Sequence, residues 1–109
     1  MKLIIAIVQD EDAGRLMTSL MNEGFSVTKL ATTGGFLKAG NTTLLTGVEK
    51  EKLDAAMGII ENTCKSRKQI STAPSPVANS SGGYMPFPVE VVVGGATVFV
   101  MDVDQFEKF

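Results

Sequence analysis

The first third of the chain alternates between a buried-strand pattern and a helical pattern. An uninterrupted apolar run, Leu3–Val8, stops at the polar residues Gln9–Asp12. A run of this length is typical of a buried strand and is too short to cross a bilayer. Apolar residues then recur at helical spacing, which predicts an amphipathic helix that begins near Asp10 and ends at Gly24. Its apolar stripe consists of Ala13, Leu16, Met17, Leu20 and Met21.

After this helix the period changes to two and then back to the helical period. The pattern predicts a strand from about residue 26 to 33, a turn over Gly34–Gly40 and a partner strand, Asn41–Val48. A second helix is predicted from Lys50 to about Lys65, with one apolar stripe that we expect to face the core. The stripe consists of Leu53, Met57, Ile60 and Cys64.

The last third is divided by a proline-rich stretch. All four prolines fall within residues 71–88. A long irregular segment of this kind is usually either functional or disordered, and the sequence leaves both readings open. Beyond it, Val89–Val93 and Ala96–Met101 flank Gly94-Gly95, which predicts a hairpin with a two-residue turn.

The resulting element order is βαββαβ, with an enlarged loop and an extra hairpin before the last strand. This order predicts a ferredoxin-like α+β fold, an antiparallel sheet with both helices on one face. Because Leu3–Val8 and Val98–Met101 are apolar on both faces, we expect the second face of the sheet to be covered by other copies of the chain. A length of 109 residues indicates one domain.

Composition excludes several classes of function. Ten basic and 12 acidic residues give a net charge of −2, which argues against a general surface for DNA or long RNA. A sheet that stacks RNA bases needs aromatic residues where this chain has Ile5, Ile7, Val98 and Val100. The chain has no histidine and a single cysteine, Cys64, in agreement with a reducing cytoplasm and against a zinc site. Acidic pairs lie at strand ends, where capping and solvation are commoner roles, so we do not predict an enzyme.

The segment from Thr28 to Thr43 concentrates the candidate chemistry. It contains five hydroxyl side chains, three glycines and two lysines around Phe36-Leu37. Hydroxyls and glycine N–H groups suit phosphate oxygens, and a phenylalanine beside glycines can lie flat against a base. The segment is not a Walker A motif, because no Gly-Lys-Ser/Thr follows the glycines. Threonine also favours ordinary strands, so composition alone leaves a nucleotide-binding loop and a plain hairpin both open.

Several segments are more specific in their residue order. They are Met1–Asp10, Thr28–Leu37, Gly40–Thr43, Tyr84 with Pro86, and Pro88–Met101. Together they resemble the PII-like cyclic-di-AMP receptor proteins of Gram-positive bacteria nearly from end to end. The resemblance implies a cytoplasmic homotrimer that binds one cyclic di-AMP in each of three clefts between subunits. It also implies signalling to an unknown protein target, without catalysis. Composition, charge and the short apolar runs predict no cofactor, no metal, no nucleic-acid polymer and no membrane as partners.

The resemblance further implies particular loops and ligand contacts. Residues 1–109 would form one PII-like domain, with a short T-loop at about 34–40 and a large B-loop at about 67–95. A threonine hydroxyl and three backbone N–H groups would hold a phosphate, an asparagine and a glycine backbone would meet an adenine edge, and a phenylalanine would pack against the base. In that order, these residues are Thr28, Gly35, Phe36, Leu37, Asn41, Gly47 and Phe99.

The chain departs from the family pattern at four positions. Ser26 stands where an arginine that would clamp a phosphate is common, and Lys108 where a glutamine is usual. Gly24 replaces an asparagine, and Lys38 replaces an arginine, which keeps the charge but loses the planar fork. A PII-like sensor of ATP or ADP, or a structural trimer with a vestigial pocket, would share this architecture, so both alternatives stay open.

Overall fold

The computed structural model describes residues 1–30, 40–74 and 86–109. The elements are β1 (Lys2–Gln9), α1 (Asp10–Asn22), β2 (Thr28–Leu30), β3 (Asn41–Val48), a 3-10 turn (Lys50–Lys52), α2 (Leu53–Cys64), β4 (Arg67–Pro74), β5 (Pro86–Val93) and β6 (Ala96–Asp102). Four of these strands form one antiparallel sheet in the order β2-β3-β1-β6, and β4 and β5 form a separate two-stranded hairpin. This is the predicted ferredoxin-like α+β order.

The core lies between the sheet and the two helices. Strand β1 occupies the centre, with β3 on one side and β6 on the other. Its residues Ile4, Ala6 and Val8 are buried against the helices, whereas the residues between them are only partly buried on the opposite face. The two helices contribute the predicted apolar stripes to this core, including Leu16, Leu20, Ile60 and Cys64.

Helix boundaries follow the sequence closely. The Gly24 N–H donates to the Met21 carbonyl (3.0 Å) and the Phe25 N–H to the Leu20 carbonyl (3.0 Å), which is the Schellman pattern of a helix C-terminus. Met21, expected in the apolar stripe, is 51% exposed and does not belong to the core. The predicted second helix begins with the 3-10 turn and becomes α-helical at Leu53.

The predicted hairpin through Gly94-Gly95 is wrong. Strand β5 pairs with β4 in a register that runs from Arg67 opposite Val93 to Pro74 opposite Pro86. Strand β6 pairs with β1, which as a central apolar strand needs a partner on each edge. Gly94-Gly95 therefore carries the chain from the β4–β5 hairpin back into the main sheet.

The stretch 71–88 is less irregular than expected. Residues 71–74 complete β4 and residues 86–88 begin β5, while residues 75–85 lie outside the described part of the chain. A two-stranded hairpin has two outer edges, where a proline needs no N–H partner, so prolines are compatible with these strands. The predicted strand 26–33 is observed as β2, and of the predicted turn 34–40 only Gly40 is described.

Candidate functional site

The sheet has an open face, defined here as the side that faces away from α1 and α2. Its apolar side chains are only partly buried or are exposed, and Phe99 and Met101 are 53% and 52% exposed. A contiguous apolar surface of this kind marks an interaction site on a soluble protein. The apolar residues on this face are Leu3, Ile5, Ile7, Leu30, Leu45, Phe99 and Met101.

Strand register aligns the open face into rows that cross all four strands. Ile5 and Leu45 are paired at the centre, with Thr28 opposite Leu45 on one side and Phe99 opposite Ile5 on the other. Because neighbouring strands lie about 4.8 Å apart, Thr28 and Phe99 are separated by about 14 Å. A hydroxyl and an aromatic ring therefore share one face, with an apolar floor between them.

Asn41 and Gly47 lie on the same face but at opposite ends of β3. Asn41 is opposite Gln9, and Gly47 is opposite Leu3. Six residues of strand at about 3.4 Å each place the two Cα atoms about 20 Å apart. Residues so far apart on one strand can meet a single compact ligand only if two copies of the chain supply them.

A depression of about 350 Å³ lies beside Asn41, where the main sheet meets the end of the β4–β5 hairpin. Its side-chain amides and hydroxyl include both donors and acceptors, the combination that a base edge requires. A more apolar cavity of about 370 Å³ lies on the helix side, between α2 and β6. The depression is lined by Ile7, Gln9, Asn41, Gly94, Gly95, Ala96 and Thr97.

An ion-pair cluster around the buried Asp12 carboxylate fastens the β4–β5 hairpin to the main body. The Asp12 side chain is 1% exposed, and its carboxylate accepts from Nη2 of Arg67 (2.9 Å) and from Nη2 of Arg15 (2.9 Å). Arg67 also donates to the Lys65 carbonyl (3.2 Å). The hydrogen bond to Asp12 raises the pKa of Arg67 above its usual value, so this anchor stays charged at any physiological pH.

Cys64 is not placed to act as a nucleophile. Its side chain is fully buried, as predicted. Burial, reinforced by the negative charge of Asp12, raises the pKa of the thiol to about 11, so that it stays protonated near neutral pH. Within residues 1–30, 40–74 and 86–109, we find no group of three or more His, Cys, Asp or Glu side chains that could hold a metal ion.

Comparison with known proteins places this chain in a family. A family model described as "Cyclic-di-AMP receptor" matches residues 1–109. The chain belongs to the cyclic-di-AMP receptor family. The chain is also similar to the crystal structure of a functionally unknown protein from Pediococcus pentosaceus ATCC 25745, with 42% identity and a TM-score of 0.77 over 99% of this chain and 96% of that chain. Membership supports a role in binding and signalling rather than in catalysis.

The structure describes four of the seven residues predicted to contact a ligand. Thr28, Asn41, Gly47 and Phe99 all belong to the open face by register. The remaining predicted contacts, at positions 35–37, lie outside the described residues, and the roles of all of these residues stay predictions. Neither helix in the described part of the chain is long and apolar enough to span a membrane.

Sequence reasoning assigned two valines to the wrong face of the sheet and missed one ion pair. It grouped Val98 and Val100 with Ile5 and Ile7, but these valines pair with Ala6 and Ile4 and therefore belong to the helix side. Phe99 belongs to the open face. The ion pair between Asp12 and Arg67 joins residues far apart in the sequence. The alternation of side chains along a strand could have assigned the two valines to the helix side, but no local sequence pattern predicts the ion pair.

Proposed function

We propose that this protein is a cytoplasmic signalling receptor that binds cyclic di-AMP in the clefts between subunits of a homotrimer. Occupancy is passed through the T-loop and the B-loop to a protein target, and the receptor itself catalyses no reaction. The observation that carries this proposal is the row that joins Thr28 to Phe99 across the open face. It offers a hydroxyl for a phosphate and an aromatic ring for a base, in a chain of the cyclic-di-AMP receptor family.

The open face supports assembly from identical copies. Its central residues Ile5 and Leu45 are only partly buried, and Phe99 and Met101 are about half exposed. Burial of a large apolar side chain stabilises by about 1.5–3 kcal/mol relative to full exposure, so covering several half-exposed side chains favours association by several kcal/mol. Assembly also brings residues from the two ends of β3 of different subunits to one ligand.

The proposed contacts are sufficient for useful affinity. A hydrogen bond to a charged phosphate oxygen contributes about 1.5–3 kcal/mol, and stacking of a base on an aromatic ring about 1–3 kcal/mol. Three or four such contacts reach micromolar affinity or better after association costs of several kcal/mol. In this proposal Thr28 and the backbone N–H groups of residues 35–37 hold a phosphate, while Asn41, Gly47 and Phe99 hold an adenine.

Isothermal titration calorimetry tests the proposed ligand. Cyclic di-AMP, ATP and cyclic di-GMP are titrated into the same protein preparation at one ionic strength, after light scattering has established its oligomeric state. We expect selective binding of one cyclic di-AMP per subunit. Selective binding of ATP would instead support the adenine-nucleotide sensor, and a folded trimer that takes up none of the three would support a vestigial pocket.

A further inference from the structure

The junction between β1 and α1 contacts the chain on both sides of the proposed ligand site. The Gln9 Oε1 atom accepts a hydrogen bond from the Gly94 N–H (2.8 Å), one residue beyond the end of β5. The next residue, Asp10, donates its N–H to the Gly40 carbonyl (2.8 Å) and accepts a hydrogen bond from the Thr42 hydroxyl. Two consecutive residues thus fix both the start of β3 and the exit from the β4–β5 hairpin.

The contact with Gly94 determines which way the Gln9 amide is oriented. A backbone N–H can only donate, so the side-chain oxygen of Gln9 must face Gly94, and its NH2 group remains as a donor for another partner. Gln9 lies directly opposite Asn41 in the ladder between β1 and β3, and both line the depression of about 350 Å³. A base in this depression would therefore lie beside an amide whose other end holds the hairpin.

The exit from the hairpin is held from the helix side as well. A Cβ atom added to Gly94 would lie 2.5 Å from Nη1 of Arg67 and 2.7 Å from the Lys65 carbonyl oxygen. Arg67 in turn is paired with Asp12, in the first turn of α1. Gln9 and Asp12 are three residues apart in the sequence. This short stretch therefore contacts both Gly94, which follows β5, and Arg67, the first residue of β4.

The root of the β4–β5 hairpin is defined here as Arg67, where β4 begins, and Gly94, which follows β5. We propose that Gln9 is a positioning residue that couples ligand binding beside Asn41 to this root. A bound ligand accepts a hydrogen bond from the Gln9 NH2 group and so holds the amide in one orientation. This strengthens the hydrogen bond between the Gln9 oxygen and the Gly94 N–H. This inference rests on the proposed cyclic di-AMP function. It adds a named residue that makes the hairpin respond to the ligand.

Hydrogen exchange of the Gly94 amide, resolved by NMR with and without saturating cyclic di-AMP, tests the coupling. Without ligand, Gln9→Leu should speed exchange at Gly94 by about two- to tenfold, because one intramolecular hydrogen bond is lost. Ligand should slow this exchange in the wild type but not in Gln9→Leu. Gln9→Glu keeps an acceptor oxygen but no NH2 donor, so it should keep the ligand-free rate and lose the ligand effect. Gln69→Leu, which replaces an exposed glutamine on β4, is the matched control and should behave as the wild type.

Each other outcome contradicts a specific part of the inference. Equal rates of Gly94 amide exchange in the ligand-free wild type and Gln9→Leu would show that Gln9 does not stabilise the root of the hairpin. Equal slowing by ligand in both would show that the coupling bypasses Gln9. Calorimetry on the same samples separates the two proposals: binding with unchanged Gly94 exchange refutes the coupling alone, and no binding to the wild type refutes the proposed function and the coupling with it. If Gln9→Leu does not fold, Gln9→Glu decides the test.

Discussion

Gly94 occupies a position that leaves no room for a side chain, and Gly95 beside it provides a matched comparison. Gly94 has φ of +84°, and an added Cβ would lie 2.5 Å from Nη1 of Arg67, 2.7 Å from the Lys65 carbonyl oxygen and 3.0 Å from the Cys64 carbonyl oxygen. Gly95 has φ of +98°, but an added Cβ would meet no described atom within 4 Å. Alanine at either position adopts the same unfavourable backbone conformation, and only at Gly94 does it also collide with its surroundings.

The two substitutions should differ by the energy of that collision. The left-handed backbone conformation costs alanine about 1–2 kcal/mol relative to glycine. Alanine also lowers the conformational entropy of the unfolded chain, which offsets about 0.4–1 kcal/mol of this cost. We therefore expect Gly95→Ala to lower the free energy of unfolding by about 1.6 kcal/mol or less. Gly94→Ala must also displace two backbone carbonyls at the end of α2, and overpacking of this kind costs about 1–3 kcal/mol. Its total loss should be about 1–4.6 kcal/mol, which exceeds the loss in Gly95→Ala by the overpacking cost.

Urea denaturation followed by far-ultraviolet circular dichroism measures both losses. All samples need the same protomer concentration, because assembly adds to the apparent stability. We expect a clearly lower midpoint for Gly94→Ala than for Gly95→Ala, with similar slopes. If the two variants lose the same free energy, the close packing of Gly94 against Arg67 and the end of α2 is refuted.

Four further predictions concern the ligand, the assembly and the thiol. Thr28→Ala should weaken cyclic di-AMP binding about tenfold or more in calorimetry, because a hydrogen bond to a charged oxygen is lost, whereas Thr28→Ser should preserve affinity; an equal loss in both variants would contradict a role for the hydroxyl. Ser26 is exposed and lies two residues before Thr28, at the position where the family pattern has an arginine, so Ser26→Arg should tighten cyclic di-AMP binding about tenfold, or about 1.4 kcal/mol, and unchanged affinity would contradict a phosphate within reach of position 26. Ile5→Lys places a charge at the centre of the open face and should give a folded monomer in light scattering, where a persistent trimer would contradict the proposed interface. The pKa of Cys64 is raised from 9.0 to about 11 in the folded chain, so the thiol ionises more readily in the unfolded chain. The free energy of unfolding should therefore fall by up to about 1.4 kcal/mol per pH unit as the pH rises from 9.0 to about 11. Cys64→Ala should remove this component, and identical pH slopes in denaturation of both proteins would argue against it.

Local patterns in the sequence predict most of the main body. The apolar spacing of α1 and α2 identifies the residues that they bury, and Gly24 marks the end of α1 because the Schellman hydrogen bonds involve only neighbouring residues. Met21 is the exception, since a helical stripe fixes direction but not how far the sheet extends beneath it.

Contacts between distant residues could not be predicted in the same way. Two strand-like runs around Gly94-Gly95 satisfy the local rule for a hairpin, but the pairing of β6 with β1 overrides it. The hydrogen bond between Gln9 and Gly94 and the ion pair between Asp12 and Arg67 depend on this topology. The predicted ligand residues came from family resemblance, and the register then showed that those on β2, β3 and β6 share one face.

Native mass spectrometry during a titration with cyclic di-AMP tests the central claim most directly, because it reports assembly and occupancy in one measurement. The proposed function predicts a homotrimer that takes up ligand in single steps and saturates at three per trimer. A monomer that binds the ligand would contradict clefts between subunits. A trimer that saturates at one ligand, or binds none, would contradict three equivalent receptor sites.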